Sequence, residues 1–316
     1  MVKDGEMKMV RRVASLCAVL VFVAGCGASP PAIGVPGIPS GDTVAQPARS
    51  QLLYATGGCS GTCVLSYPRG RVVGSLALSG AGLCSDKRGN IFMPSATSSG
   101  AAVVYEYAHG GKSPKATLNV PGILAEGCSV DPTTGNLAVT YLCRNCSYGP
   151  VAIFQNAKGS PTSYEQAGVY LSFCGYDGKG NLFADGTGGS GFALLELPAG
   201  GSALSPISVS QSIAIAGQVQ WDGTFVAIED LSHPVIYQFK ISGSTATRKG
   251  TTKLTGAGNS GGQSWIQGAT VVVPYSPSGS TPTAVGYWKY PAGGSPAKTI
   301  KRHLGAGPLA GVTVSL

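Results

Sequence analysis

Asp86-Lys87-Arg88-Gly89-Asn90-Ile91-Phe92 reads as a tight turn that opens on an aspartate and runs into an apolar strand, and the unit returns. It comes back as Asp131-Pro132-Thr133-Thr134-Gly135-Asn136-Leu137, with one extra residue, and as Asp177-Gly178-Lys179-Gly180-Asn181-Leu182-Phe183. A shortened form is Asp222-Gly223-Thr224-Phe225-Val226-Ala227, and a degenerate one is Gln267-Gly268-Ala269-Thr270-Val271-Val272. Successive anchors stand 45, 46, 45 and 45 residues apart. Asp opens the turn by accepting bonds from backbone amides, Gly supplies a positive φ, and Asn tolerates a left-handed conformation as well.

Between the anchors a second element recurs: an alternating strand that ends in an aromatic residue or Leu, then a Pro/Ala/Gly turn. Its six copies include Val64-Leu65-Ser66-Tyr67-Pro68, Leu194-Leu195-Glu196-Leu197-Pro198 and Gly286-Tyr287-Trp288-Lys289-Tyr290-Pro291. Many short strands at a fixed period, without helical periodicity, predict an all-β repeat fold, and this spacing suits a six-bladed β-propeller. The sixth anchor is split between the ends of the chain. Gly311-Val312-Thr313-Val314-Ser315 reads as an inner strand, and Leu52-Leu53-Tyr54-Ala55-Thr56 as the strand that follows one. Their pairing is expected to close the ring within one shared blade and to remove two exposed sheet edges.

The succession of inner strand, D-x-x-G-N-L turn and outer aromatic strand resembles the NHL and gluconolactonase-like six-bladed propellers, over about residues 52–316. The fifth anchor departs from the pattern by lacking Asp and Asn, and the fourth lacks the Gly-Asn end. The resemblance implies a channel that can hold a divalent metal through Glu, Asn and Asp. Glu126, Asp185 and Asp230 are the acids on offer, and Glu126, near the top of an inner strand, is the best single candidate. One acid is not a site, since hard cations take six or more oxygens.

Ahead of the repeats the chain changes character. Lys3, Lys8, Arg11 and Arg12 precede an apolar run from Val13 to Val23, which ends in Val23-Ala24-Gly25-Cys26. The run has the length of a signal-peptide core and is too short to span a bilayer. Its end resembles a bacterial lipobox, which makes residues 1–25 a signal peptide and Cys26 a lipidated N-terminus. Met7 and Met9 are alternative starts. Residues 26–50 read as a Pro/Gly-rich tether with too little apolar surface to order itself, and 51–316 as the propeller. The expected location is the cell envelope, at the outer membrane in a Gram-negative host and at the cell membrane otherwise, with the lipid at Cys26 as the membrane contact.

Seven cysteines follow Cys26. An exported chain meets an oxidising setting, so disulfides are expected. Cys59 with Cys63, and Cys143 with Cys146, are candidate local pairs. The alternative joins each loop to the next inner strand, Cys59 or Cys63 to Cys84 and Cys143 or Cys146 to Cys174. Cys84, Cys128 and Cys174 precede anchor aspartates by two or three residues, which places them on inner strands beside the channel. Together with Glu126 and His303 they are the candidates for the channel mouth, and all seven cysteines are expected on one face. An odd count leaves one thiol free, expected on an inner strand. Metal binding through Cys143, Cys146, Cys174 and Cys128, or redox chemistry at Cys143-Arg144-Asn145-Cys146, are weaker readings, because no second zinc-type pair and no helix accompany the motif.

No catalytic constellation emerges. A nucleophile elbow with partners is missing, and the Gly-rich stretches lack a following helix to present amides to phosphate. His109 and His233 read as turn residues. The net charge is +8, falling to +6 without the leader, and it is spread along the sequence. The densest basic run, Lys298 to His303, is short, so a nucleic-acid partner is not expected. The sequence therefore reads as a tethered binding or scaffold module without a cofactor, recognising a protein, peptide or glycan on the cysteine-rich face. A gluconolactonase-like metal-dependent hydrolase is the alternative.

Overall fold

The anchor aspartate turns the chain by gathering amides. Asp177 Oδ1 accepts the N–H groups of Lys179 (2.8 Å) and Asn181 (2.9 Å), and Oδ2 accepts the Asn181 side-chain amide (2.8 Å). Asp86 repeats the box with Arg88 and Asn90. Asp131 takes the Thr133 amide and the hydroxyls of Thr133 and Thr134 instead. The positive φ falls on Gly89 (84°), Gly135 (78°) and Gly180 (87°) alone. The asparagines have another task than the left-handed tolerance expected of them. Asn136 Oδ1 accepts the Asn156 amide and Asn181 Oδ1 the Ala199 amide, while Asn90 Oδ1 accepts Lys115 Nζ. Each ties its anchor turn to an outer hairpin turn of the same sheet. Because charge-assisted bonds to a carboxylate contribute about 1.5–3 kcal/mol, Asp177→Ala is expected to cost about 2 kcal/mol in urea unfolding. A loss below about 0.5 kcal/mol, the scatter of ordinary surface substitutions, would mean that the turn forms without its aspartate.

This computed structural model describes residues 50–316, apart from 145, 147, 259–261, 278–280, 302 and 306; the expected leader, Cys26 and all but the last residue of the tether lie outside the described residues. The described chain is all-β, with twenty-four strands and one short 3-10 turn. The first sheet combines β1 (Leu52–Thr56), β2 (Thr62–Ser66) and β3 (Val72–Leu76) with β24 (Gly311–Ser315), in the order β24-β1-β2-β3. The second is β4 (Cys84–Ser85), β5 (Ile91–Ala96), β6 (Ala102–Tyr107) and β7 (Ala116–Asn119), and the third is β8 (Leu124–Val130), β9 (Leu137–Leu142), β10 (Val151–Phe154) and β11 (Thr162–Tyr164). An eight-stranded sheet follows. Its strands are β12 (Val169–Tyr176), β13 (Leu182–Gly188), β14 (Gly191–Leu197), β15 (Ser205–Val209), β16 (Ala216–Trp221), β17 (Val226–Asp230), β18 (Val235–Ser242) and β19 (Thr245–Lys253), in the order β12-β13-β14-β15-β19-β18-β17-β16. The last is β20 (Trp265–Gln267), β21 (Thr270–Tyr275), β22 (Ala284–Lys289) and β23 (Lys298–Ile300).

Five antiparallel rungs, from Leu52↔Ser315 to Thr56↔Gly311, put the two ends of the described chain in one sheet. The eight-stranded sheet is joined at its middle by two parallel rungs only, Ser208↔Thr245 and Val209↔Ala246. The innermost strands touch in the order β24, β4, β8, β12, β16, β20 and back to β24. This is a propeller-like arrangement. Its second strands are buried on both faces, so they read as near-continuous apolar runs (Val271, Val272 and Val273 are wholly buried) rather than as alternating ones. The cores lie between sheets. One gathers Phe92, Val104 and Leu118 of the second sheet with Val139, Tyr141 and Phe154 of the third. Burial of each such side chain contributes about 1.5–3 kcal/mol.

Candidate functional site

The strand order gives the molecule two ends. One carries the anchor turns and, through the asparagine bridges, the outer hairpin turns. The other carries the loops between second and third strands, such as 57–61 and 143–150, and the N-terminal ends of the inner strands.

At the loop end, inner strands are bulged and their amides are held by polar side chains from second strands. Pairing of β8 with β9 skips between Ala125 and Cys128, and β16 with β17 skips between Ala216 and Val219. Thr140 Oγ1 accepts the Gly127 amide (2.9 Å) and donates to the Ser172 carbonyl of the neighbouring inner strand (2.6 Å). Asp185 has the equivalent place on β13. Its Oδ2 accepts the Gly217 amide at 3.3 Å, while Oδ1 has no partner and the side chain is wholly buried. Burial pushes its carboxyl well above the ordinary range, the amides of Gly217 and Phe173 offset part of this, and Glu229 adds to it. Gly217 has to be glycine, because a Cβ there would stand 2.6 Å from the Glu229 carbonyl.

Glu126 occupies the β8 bulge, and burial alone pushes its carboxyl up to about 7. Beside it the inner strands close on one another. A Cβ on Gly82 would stand 2.6 Å from the Glu126 carbonyl and 2.5 Å from Gln263 Oε1. Gln263 is wholly buried, accepts the Leu83 amide, and leaves its Nε2 without a partner. The acids implied by the resemblance do not converge. Asp185 faces the Gly217 amide, and Asp230 is tied to its own corner. Burial would raise Asp230, but bonds from the Ala214 amide, His233 and the amides of Ser232 and Ile215 outweigh it and hold the carboxyl low. Among the described residues no group of three or more His, Cys, Asp or Glu side chains is arranged to hold a metal ion.

His303 does not join Glu126. It is exposed, and it lines a rim cavity of about 880 Å³ with Arg69, Arg71 and Lys298. Its loop is fixed by the Cys59 amide, which donates to the Leu304 carbonyl (2.8 Å).

The cysteines do not share one face. Cys59–Cys63 and Cys143–Cys146 are disulfides at the loop end. Cys84, Cys128 and Cys174 lie only two or three residues from the anchor turns, toward the other end, because an inner strand runs through the whole thickness of the ring. The loop-to-inner-strand pairings do not form. Cys84 bonds instead to Cys128, joining the inner strands of two adjacent sheets, a pairing the sequence reading did not consider. Cys174 is the free thiol, buried, with its ionisation disfavoured by burial and then by Asp185. A metal set of Cys143, Cys146, Cys174 and Cys128 is therefore overturned, three of the four being in disulfides.

Two features escaped sequence reasoning. Four large apolar side chains among the described residues are exposed, and two of them stand at the loop end, Tyr170 (44%) at the start of β12 and Ile215 (54%) in the bend just before β16. Tyr170 is braced, its hydroxyl donating to the Cys146 carbonyl (3.1 Å) and its backbone bridging to Gly149. At the turn end, a groove of about 1060 Å³ runs between the anchor turns of the second and third sheets, with Lys87 and Lys158 on its walls.

No protein-family profile and no curated protein matches the sequence. Solved structures do match in fold. A chain from the crystal structure of a nidogen/laminin complex is similar at 12% identity and a TM-score of 0.60, over 84% of this chain and 98% of that one. The β-propeller domain of Cps50 (Swd1) from Myceliophteria thermophila matches at 11% identity and 0.53, over 79% and 83%. A protein from Lactobacillus plantarum matches at 12% and 0.53, over 84% and 99%. At these identities the likeness establishes a β-propeller fold and nothing of function.

Proposed function

We propose that this chain is a lipid-anchored, six-bladed propeller of NHL and gluconolactonase-like layout that acts as a non-catalytic binding or scaffold module, with its ligand at the loop end. Six blades are supported by the closed cycle of six inner strands and by the slight, two-rung seam in the eight-stranded sheet. The lipid anchor is supported by the Val23-Ala24-Gly25-Cys26 sequence and by two further features of an exported chain, the tether composition and the disulfides.

The observation that carries the binding reading is Tyr170. An exposed aromatic, held rigid against a disulfide-closed loop, loses little entropy when it is covered, and such residues dominate binding energy at interfaces. Ile215, exposed just before the next inner strand, is a second apolar side chain at this end. Glycan and peptide arrays probed with the full chain are expected to yield ligands whose affinity falls about tenfold or more on Tyr170→Ala, the cost of losing one aromatic anchor. Ligands indifferent to both Tyr170→Ala and Ile215→Asp would sink this site. Metal-dependent turnover of a lactone or ester, lost on Glu126→Gln, would replace binding with catalysis.

A further inference from the structure

We propose that the turn end of the propeller is a docking face for an anionic lipid surface. Arg69, Arg71, Lys87, Lys112, Lys158 and Lys179 are all exposed, and all sit in anchor turns or outer hairpin turns of successive sheets. None of them belongs to an ion pair among the described residues. The anchor aspartates at the same end are engaged by their own turns, Asp86 and Asp222 part-buried and accepting turn amides. Asp131 and Asp177 are buried and spend their oxygens on turn amides, hydroxyls and an asparagine side chain, so the outermost layer is cationic. In sequence these cations are scattered, and the repeat brings them to one end.

Two facts choose a lipid surface as the occupant. The cations are spread over the turns of four successive sheets, with Lys87 and Lys158 on one groove and Arg69 and Arg71 on another cavity, which suits a broad plane of phosphates. The N-terminal chain also arrives at this end: His109, in an outer turn, contacts the Ser50 carbonyl through Nε2 (3.1 Å) and Ser315 Oγ through Nδ1. Ser50 follows Cys26 by 24 positions. The proposed anchor is thus joined to the propeller at the turn end, and basic residues near anionic lipid add attraction. The tether step rests on the proposed anchor, whereas the charged face does not. The arrangement leaves Tyr170 and Ile215 directed away from the membrane.

The test has two arms. In the first, the full chain is bound to vesicles containing phosphatidylglycerol, and its lysines are acetylated and mapped by mass spectrometry. Lys87, Lys112, Lys158 and Lys179 are expected to be protected relative to Lys249 and Lys301, with the protection lost on pure phosphatidylcholine or at high salt. Uniform labelling, or protection of Lys301 instead, overturns the proposal even if Cys26 is acylated. In the second, a Cys26→Ser chain is partitioned onto the same vesicles. Each of Lys87→Ala, Lys158→Ala and Lys179→Ala is expected to weaken partition about fivefold. Equal partition onto neutral vesicles, or no effect of the triple variant, overturns it. Retention on duplex DNA at salt that releases the vesicles would assign the face to nucleic acid and overturn it too. Normal partition in the second arm, with no acyl group found on the native chain, would refute the anchor and leave the face standing.

Discussion

Replacing Cys84 and Cys128 together by alanine is expected to remove about 4 kcal/mol of unfolding free energy, while the same double replacement at Cys59 and Cys63 removes about 2 kcal/mol. The difference comes from the unfolded chain. Cys84 and Cys128 are 44 residues apart and Cys59 and Cys63 only 4, so the first bond excludes many more open conformations. The native state adds to the contrast. Cys84–Cys128 joins the inner strands of two sheets that otherwise meet through side-chain packing, whereas Cys59–Cys63 closes one loop. Urea unfolding of both variants checks this, and the dependence on denaturant is expected to steepen for the Cys84/Cys128 variant as its unfolded chain expands. Equal losses from the two variants would show that loop closure does not govern their stability.

What was legible in the sequence follows from what is local. The Asp turns, the glycine positions and the pairing of Leu52–Thr56 with Gly311–Ser315 are set by residues next to one another or by a fixed period, and a reader of the sequence can count both. Relations between sheets were read poorly. The Cys84–Cys128 bond had a signal that went unused: a spacing close to the anchor period puts two residues at similar height on neighbouring sheets. Cys174 repeats that spacing, and since only two of three can bond, one thiol is left buried. The expectation of a single cysteine face failed because lying on an inner strand fixes the distance from the channel axis but not the depth along it, and depth is counted from the anchor aspartate. Tyr170 was invisible for another reason, since an aromatic in a strand of this fold is usually packing. Only the bulges and loops around it decide that its ring stays in water. The cations of the turn end are scattered in sequence, and a search for runs of charge cannot find them.

Glu126 gives the second large effect. Its carboxyl titrates at 4.5 when free and is pushed up to about 7 here by burial in the β8 bulge, with no compensating partner. Between those two values the unfolded chain has released the proton and the folded chain retains it, so the unfolded state binds fewer protons and stability falls as pH rises through the window. Above about pH 7 the full cost is present, up to about 3 kcal/mol from a displacement of that size. Glu126→Gln keeps the shape and removes the charge. The variant is therefore expected to match the parent below about pH 4.5 and to exceed its stability by up to about 3 kcal/mol above about pH 7. Asp185, displaced in the same direction, contributes to both chains and cancels in the difference. Urea unfolding on either side of the window measures that difference. A gap independent of pH would mean that Glu126 is solvated or paired in the folded protein, and a gap of opposite sign would mean that a positive group or ion holds it ionised. A carboxylate kept at such a cost beside the closed inner strands is hard to explain by packing alone, which makes Glu126→Gln the informative variant for stability and for any activity at the loop end.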